Sequence, residues 1–348
     1  MDILNEMAKN GGERSGSLSK NRSDFQLHYA MCLYFAEYLS NKKKDFQIIL
    51  DYDDDISLVK DNQVSFYQVK TSSVEQVLTE KILSGTNSNY ITNLYKHVHK
   101  LGLQGIRGLF LISNLKIHHA GSLLEELSLD NFSDTDKEKI ISLIKNKYKI
   151  EKAQTGFLAI TKIRHTELPV NNYVTYVKGK LIELLEQEDK SLSYDPVTIY
   201  TCIKSKFDKQ NNFEKFDKIS TKDHLINYKG IDSQFLRKLI ECAISSTYND
   251  CDKKYQDLLN SEKIAIREYR NFMTGLTQIK NLILSSDHAT LAAYKKVQSF
   301  IKKNDGTFDM QMIRNAYQQI KVFQGKDKYE SYAIIFLAIE FYKNGEDL

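Results

Sequence analysis

Residues 46–71 read FQIILDYDDDISLVKDNQVSFYQVKT, and this stretch decides the fold. Its apolar residues come in short runs bounded by polar residues, which predicts three strands near residues 46–52, 55–60 and 63–70. Asp61-Asn62, between the second and third strands, predicts a two-residue hairpin turn. The last two strands are therefore expected to pair directly.

That turn determines which side chains of the hairpin face each other. Counting outward from it places Asp55 opposite Gln68 and Asp53 opposite Lys70. Side chains alternate along a strand, so Gln68 and Lys70 point to the same face. Asp55 joins them across the ladder, where directly opposed β-carbons are about 5 Å apart. One carboxylate, one amide oxygen and one ammonium group are expected to converge.

These three groups suit phosphodiester hydrolysis. A carboxylate and a neutral oxygen, here from Asp55 and Gln68, can hold Mg²⁺, which keeps several waters and needs few protein ligands. Lys70, a compact cation, can orient the attacking water and offset negative charge. The spacing leaves a second interpretation open, in which residues 51–57 form a solvated acidic turn and Lys70 pairs with Asp53 at the surface.

The bulk composition narrows the class of protein. The chain has 348 residues, 41% of them hydrophobic, which is enough for a core and suggests two domains. A net charge of +4 permits contact with nucleic acid without indicating it. No long apolar run, signal peptide or Cys-x-x-Cys pair occurs, so we expect a reduced, cytoplasmic chain without a membrane span or zinc knuckle. Gly12 and Gly16 form no P-loop, so the chain is not expected to be an ATPase.

Helices flank the three strands. Residues 23–44 predict a helix with Ser23 as N-cap, and Gln26 three positions later either closes a capping box or faces the site. Residues 88–103 predict a second helix that ends at Gly102 or Gly105. GLFLIS, residues 108–113, predicts a buried strand.

After residue 120 the pattern is mostly helical, with one further strand expected in TGFLAITKIRH, residues 155–165. The predicted helices cover residues 123–132, 137–148, 172–187 and 232–245, then 261–285, 289–303, 309–323 and 329–343. A soft domain boundary is expected near residue 250.

The site residues resemble a known family. An acid at the start of the second strand, with a third strand ending in (Asp/Glu/Gln)-x-Lys, is the PD-(D/E)XK nuclease pattern. More closely, the chain is similar to the CD-NTase-associated double-stranded DNA endonuclease domain of bacterial CBASS anti-phage effectors, over about residues 12–245. Five landmarks in order carry this resemblance: RSGS at 14–17, Gln26 with Ala30, Asp54-Asp55-Ile56, QVKT at 68–71 and FLISN at 110–114.

The resemblance implies a role for each matching position. Asp55 matches the metal-binding acid, with Asp54 as its register alternative, Gln68 the second ligand of Mg²⁺ or Mn²⁺, and Lys70 the catalytic lysine. Gln26 matches a polar residue of the first helix that faces such sites. Gln68 departs from the carboxylate of the superfamily, which removes a negative charge at the metal but is normal in this branch.

Other polar residues are candidates for DNA contact or metal binding, with an ordinary surface role as the alternative. Arg14, Ser15, Thr71, Lys96 and Lys100 are candidate DNA contacts, although most such charges are plain surface. Two histidine pairs are not expected to hold metal. His97 and His99 lie two apart and point to different faces of a helix, and His118-His119 is expected in a solvated loop.

The resemblance also implies an α/β fold: a restriction-endonuclease-like core (helix, three strands, helix, strand) followed by a mostly helical extension. We expect residues 1–120 to form the nuclease core, 121–250 its helical continuation, and 251–348 a helical domain for oligomerisation or partner binding. The last hundred residues do not resemble the nucleotide-sensing SAVED domain of CBASS effectors, so control is expected from another chain.

Two settings fit a nuclease that is controlled by another chain, and both concern defence against phages or plasmids. One is the nuclease subunit of Lamassu with its SMC-like ATPase and small accessory subunit, and the other is a nuclease on a HerA-type ATPase. A homo-oligomer is expected when the enzyme is active. Two alternatives are a non-catalytic DNA-binding scaffold and a modification-dependent restriction enzyme with a reader in residues 246–348.

Overall fold

The structure is a computed structural model. It describes residues 2–9, 20–40, 44–72, 77–79, 83, 89–188, 196–214, 218–244, 271, 274–276, 278–279, 282, 288–303, 315–318 and 328–343.

Helices and strands alternate in the first two thirds of the chain. The described helices are α1 (Ile3–Lys9), α2 (Lys20–Ser40), α3 (Asn89–Leu101), α4 (Asp134–Tyr148), α5 (Gly156–Ile160), α6 (Tyr173–Glu188), α7 (Pro196–Asn211), α8 (Lys222–Lys229), α9 (Ser233–Ile244), α10 (His288–Lys303) and α11 (Lys328–Lys343). The described strands are β1 (Phe46–Leu50), β2 (Ile56–Lys60), β3 (Gln63–Lys70), β4 (Leu78–Thr79), β5 (Ile106–Ser113), β6 (Ile117–His119), β7 (Ser122–Leu124), β8 (Glu126–Ser128), β9 (Thr161–His165) and β10 (Gly230–Asp232).

A seven-stranded mixed sheet has the strand order β10-β1-β2-β3-β5-β9-β8, and β4, β6 and β7 form a small second sheet. The neighbours β1, β2 and β3 are antiparallel, whereas β3, β5 and β9 run parallel. The carboxyl ends of these parallel strands meet at one edge of the sheet, where Lys70, Ser113 and His165 pair in a row.

The β2–β3 hairpin has the predicted turn and register. Asp61 and Asn62 both have positive φ, 50° and 57°. Two positive φ values are the requirement of the type I′ turn, which aspartate and asparagine tolerate. Lys60 pairs with Gln63 and Ile56 with Tyr67, as counting from the turn predicts.

Helix α3 is the crossover between the parallel strands β3 and β5. It ends at Leu101, and Gly102 has a positive φ of 71°, which glycine adopts readily. Its apolar residues, including Leu94 and Val98, join Phe66 and Leu111 of the sheet in one buried core.

Helix α2 supplies side chains to the face of the main sheet opposite α3. The ring of Tyr67 stacks on that of Phe110 at 4.7 Å, and both rings neighbour Arg164. Tyr29 of α2 is buried among these groups, and this burial raises the pKa of its hydroxyl well above 10. The strand alternation thus divides the side chains of β3 between two helical layers.

Three local predictions were wrong. Residues 123–132 contain β7, β8 and a short 3₁₀ turn at Leu129–Asn131 rather than a helix. The burial of Leu127 and Leu129, with Glu126 and Ser128 less buried between and beside them, has the period of two of a strand. Helix α2 begins at Lys20, so Ser23 lies inside it and is not its N-cap.

His118 and His119 lie in β6 of the small sheet, not in a loop. The predicted strand at 155–165 is half right, because α5 fills its first part and β9 begins at Thr161. Sequence reasoning did not anticipate α7, α8 and β10, although β10 extends the main sheet beside β1.

The predicted helices at 137–148, 172–187, 232–245, 289–303 and 329–343 are confirmed by α4, α6, α9, α10 and α11. The helices predicted at 261–285 and 309–323 lie largely outside the described residues. The α/β class, with a restriction-endonuclease-like core and a mostly helical extension, is confirmed.

The chain divides into two compact units. One comprises Met1–Leu184 with Lys206–Phe235 and contains both sheets, and the other comprises Leu185–Ser205 with Leu236–Leu348. In the second unit α11 packs against α10 and is buried from Ala333 to Ile339. Searching the described residues finds no helix that is both long and apolar enough to span a bilayer. The three functional ranges expected from the sequence stay predictions.

Candidate active site

The candidate site lies where β2 and β3 stop pairing. The ladder ends with Ile56 and Tyr67, but β3 continues to Lys70. Beyond the ladder, the backbone of β3 is bonded by side chains instead. The N–H of Val69 donates to Oδ2 of Asp55 at 2.7 Å. Its carbonyl accepts from Nε2 of Gln26 at 3.3 Å. The backbone of Val69 is therefore fixed by an acid from the neighbouring turn and by an amide from α2.

Asp55 and Lys70 lie next to each other. Nζ of Lys70 is 4.0 Å from Oδ2 of Asp55, and their side chains are 19% and 3% exposed. A buried carboxylate requires compensation from charges and donors, and here Lys70 and the N–H of Val69 contribute to it. Nζ of Lys70 also lies 5.6 Å from the ring centre of the half-exposed Tyr90, within cation–π range.

Gln68 has a buried oxygen that lacks a hydrogen-bond partner among the described residues. The register continues from the Ile56–Tyr67 pair to place Gln68 opposite Asp55, and strand alternation puts it on the same face as Lys70. Its Oε1 accepts no hydrogen bond in the part of the chain that the structure describes. Leaving a buried polar atom unpaired costs about 1–3 kcal/mol, and this one lies on the strand face that also carries Lys70, so it is a candidate ligand oxygen.

The donor set fits a hard divalent cation that keeps most of its waters. Asp55 supplies carboxylate oxygen and Gln68 amide oxygen, both suited to Mg²⁺ or Mn²⁺. Within the described ranges no three His, Cys, Asp or Glu side chains gather as a metal-binding group. An ion here would therefore have few protein ligands, because glutamine replaces the second acid.

Asp54 points elsewhere. Its Oδ2 lies 2.8 Å from Nε2 of His97 in α3, and its Oδ1 accepts from the backbone N–H of Asp55 at 3.1 Å. Both oxygens are thus engaged with groups other than Lys70. Of the two register alternatives, the structure places Asp55 and not Asp54 beside the lysine.

The acidic turn is buried rather than solvated, so that part of the surface interpretation was wrong. Asp53, Asp54 and Asp55 are 5%, 1% and 6% exposed. The turn is closed by Asp51, which has a positive φ of 44° and donates its N–H to the carbonyl of Asp55 at 3.1 Å.

Burial favours the neutral form of the His97 imidazole. Burial lowers its pKa below the usual 6.5, and this effect outweighs the nearby carboxylate of Asp54, which acts in the opposite direction. A carboxylate accepts hydrogen bonds, so the hydrogen bond to Oδ2 of Asp54 assigns the proton of His97 to Nε2. The ring also stacks on Phe66, with centroids 3.6 Å apart and planes within 8°.

Asn114 holds the segment that follows the lysine. Its Oδ1 accepts from the N–H of Ser72 and its Nδ2 donates to the carbonyl of Ser72, both at 2.9 Å. The asparagine follows the end of β5, so the clamp joins the carboxyl ends of β3 and β5. Thr71, between Lys70 and this clamp, is half-buried.

The candidate DNA contacts are placed unevenly. Lys96 is half-buried and Lys100 exposed on α3, whereas Arg14 and Ser15 lie outside the described residues. Sequence reasoning missed Lys147 of α4, which donates to Oγ1 of Thr92 at 3.5 Å. Burial and then the nearby charge of Lys96 lower the pKa of Lys147, so these two cations lie close together.

The roles of His97, Asn114 and Tyr90 were also missed. His97 was considered only for a metal pair with His99, and Asn114 only as a family landmark. No local signal could have found these contacts, because each joins residues far apart in sequence.

A helix–three-strand–helix–strand core whose third strand ends in Gln-x-Lys defines the chain as a nuclease of the restriction-endonuclease-like fold. The family model described as Cap4, dsDNA endonuclease domain, matches residues 14–211. That match covers more than half of the chain, and the protein belongs to this family. Comparison with the curated proteins and with the solved structures found no match.

Proposed function

We propose that this protein is a divalent-metal-dependent endonuclease that cuts double-stranded DNA in bacterial defence against phages or plasmids. The observation that carries the proposal is the unpaired Oε1 of Gln68, buried on the face of β3 that also carries Lys70, which is ion-paired with Asp55. A bound Mg²⁺ or Mn²⁺ would supply a more acidic water and stabilise charge on the phosphoryl oxygens.

Asp55 and Gln68 are the residues that would hold the ion. The N–H of Val69 binds Oδ2 of Asp55 and fixes the orientation of the carboxylate. Gln26 restrains the next peptide group through the carbonyl of Val69. These contacts prearrange the oxygens, so little reorganisation is needed when the ion and the DNA bind.

Lys70 provides the positive charge. Its ammonium lies between the carboxylate of Asp55 and the ring of Tyr90, a position from which it can contact a phosphate or orient a water. The clamp of Asn114 on Ser72 limits movement of the backbone beyond Lys70. The lysine therefore acts from a restrained strand end.

Helix α3 offers a path for the DNA backbone. Tyr90 lies beside Lys70, and Lys96 and Lys100 follow at about 9 and 15 Å along the axis, at 1.5 Å per residue. The charge of Lys96 acts on Lys147, and two cations that feel each other favour an anion there. We propose that phosphates flanking the cut bind near Lys96 and Lys100, which are four residues apart and share one face of α3.

Control by a partner belongs to the same proposal. Within it, we favour an SMC-like ATPase with a small accessory subunit, as in Lamassu, over a HerA-type ATPase, and we propose that the active enzyme is a homo-oligomer. The isolated chain is expected to cut DNA poorly or indiscriminately. Clean, regulated cutting by the lone monomer would count against control by a partner.

The test is a cleavage assay with linear plasmid and Mg²⁺ or Mn²⁺, with and without the products of neighbouring genes. Wild type and Lys70→Ala are compared, with Lys180→Ala as a control at a half-buried lysine of α6 that pairs with Glu183. We expect cleavage by wild type and by Lys180→Ala that chelator abolishes, and none by Lys70→Ala.

Two other outcomes identify other functions. DNA binding without cleavage under every condition would indicate a non-catalytic scaffold. Cleavage of methylated plasmid only would indicate a modification-dependent restriction enzyme.

A further inference from the structure

A buried carboxylate–imidazole pair lies directly behind the candidate site. Nε2 of His97 is 2.8 Å from Oδ2 of Asp54, and the side chains are 1% and 2% exposed. The ring of Phe66 lies flat against His97 at 3.6 Å. The imidazole is therefore restrained by a strand on one side and by its own helix on the other.

The pair is connected to Asp55 through the backbone. Oδ1 of Asp54 accepts from the N–H of Asp55, and the carbonyl of Asp55 accepts from the N–H of Asp51. Both polar backbone groups of Asp55 are thus bonded within the turn. Its carboxylate then reaches the N–H of Val69, so a continuous series of hydrogen bonds runs from α3 to the end of β3.

Stability alone does not account for such a pair. Burying a carboxylate has a large desolvation cost, and apolar residues of similar volume often stabilise as well or better. The neighbours Leu94 and Val98 on α3 show that this face otherwise packs apolar side chains. The Asp54–His97 pair instead restrains orientation, because its hydrogen bonds fix the positions of the turn and of Asp55.

We infer that His97 is a positioning residue, which orients the carboxylate of Asp55 by holding Asp54. This inference rests on the proposed function, in which Asp55 holds the ion. Residues that orient metal ligands from behind typically change metal affinity or activity about 10–100-fold when they are replaced. His97 acts through Asp54, because its Nε2 bonds Oδ2 of that acid, whose Oδ1 in turn accepts from the N–H of Asp55.

The experiment uses the full chain and compares replacements of His97 that change either its hydrogen-bond donor or the shape of its ring. His97→Gln places an amide N–H near the position of Nε2 and keeps the bond to Asp54. His97→Phe keeps a ring against Phe66 but removes the donor. His99→Phe, at an exposed position two residues along the same helix, is the matched control.

Amide hydrogen exchange is the primary measurement, because it reports on the site without requiring cleavage. The amides of Asp55 and Val69 are protected by the bonds that His97 is inferred to organise, and the amide of Leu109 in β5 is a reference. In His97→Phe we expect Asp55 and Val69 to exchange about tenfold faster than in wild type, relative to Leu109. We expect His97→Gln and His99→Phe to match wild type.

Cleavage kinetics and the Mn²⁺ concentration for half-maximal cutting are measured on the same preparations. The inference predicts for His97→Phe a kcat lowered about tenfold or more, a higher Mn²⁺ requirement and an unchanged KM for DNA, with rescue by His97→Gln. Should His97→Phe not fold, His97→Asn replaces it, since its amide is one methylene too short to reach Asp54.

Unchanged protection of Val69 and Asp55 in the donor-less variant would overturn the inference. Equal losses of amide protection and of cleavage rate in His97→Gln and His97→Phe would also overturn it. They would indicate that His97 acts through packing and not through the hydrogen bond. If wild type cuts no DNA under any condition, the proposed function fails, but the exchange rates still decide whether His97 positions Asp55.

Discussion

The ammonium nitrogen of Lys70 lies 4.0 Å from Oδ2 of Asp55, at the point where two paired strands separate. Each group stabilises the other in a mostly buried setting, and the N–H of Val69 shares the same carboxylate oxygen. The carboxylate and the lysine therefore form one electrostatic unit, whose replacement is expected to affect chemistry more than folding.

Lys70→Ala is expected to lower kcat for DNA cleavage by about 10²–10³-fold, because it removes a charge that stabilises the transition state. Lys70→Arg is expected to restore little, since a planar guanidinium does not occupy the position of a compact ammonium. Plasmid cleavage rates check both, with filter-binding affinity for DNA measured alongside. Activity of Lys70→Ala close to that of wild type would exclude the lysine from the reaction.

Gln68→Met tests whether the unpaired oxygen serves an ion. The thioether fills a similar volume without a hard oxygen, so metal-dependent cleavage should disappear. The free energy of unfolding in chelator should stay equal or rise by about 1 kcal/mol, because an unpaired buried oxygen is removed. Chemical denaturation and cleavage assays check the two effects. A less stable protein that retains full activity would contradict the metal role.

Gln68→Glu is expected to lower the Mg²⁺ concentration required for half-maximal cleavage. The change restores the second carboxylate of the superfamily and adds a negative charge at the ion. Titration of the metal in the cleavage assay measures the effect. An increased requirement would indicate that residue 68 does not contact the ion.

Asn114→Ala should destabilise the end of β3. It removes two hydrogen bonds to Ser72, each worth about 1 kcal/mol, and lets the segment after Lys70 move. We expect about 1–2 kcal/mol of lost stability with a reduced kcat. Thermal unfolding is compared with that of Asn146→Ala, at an exposed asparagine of α4, which should match wild type.

The lowered pKa of Glu126 leads us to expect that the stability of the fold depends on pH. Burial acts to raise the pKa of its carboxyl, but hydrogen bonds from Lys162 at 2.7 Å and Arg164 at 2.8 Å outweigh it and bring the pKa below the usual 4.5. A lowered folded-state pKa gives stability that is present above pH 4.5 and is lost as pH falls through the lower folded value.

Glu126→Gln should weaken that acid dependence. Denaturation curves between pH 7 and pH 3 measure it, and the variant should lose less stability than wild type on acidification. Identical pH profiles for the two proteins would show that the carboxyl titrates alike in the folded and unfolded states.

Much of the core could be predicted because its signals are local. The turn at Asp61-Asn62 gives the hairpin register by simple counting, and alternation assigns Gln68 and Lys70 to one face. Helices with a clear apolar stripe, such as α3 and α9, were also predicted. The segment 123–132 was not, because its leucines satisfy both a helical and a strand pattern until β8 pairs with β9.

The sequence by itself predicted that an acid, a glutamine and a lysine come together at one strand end, because counting from a two-residue turn and the pleat of a strand put Gln68 and Lys70 on one face beside Asp55 or its register alternative Asp54. Only the tertiary structure decided which acid that is. Asp54 and Asp55 are chemically identical neighbours, and the difference arises because α3 packs against the sheet and offers His97 to the first of them. That partner lies 43 positions away, so no local pattern could reveal it.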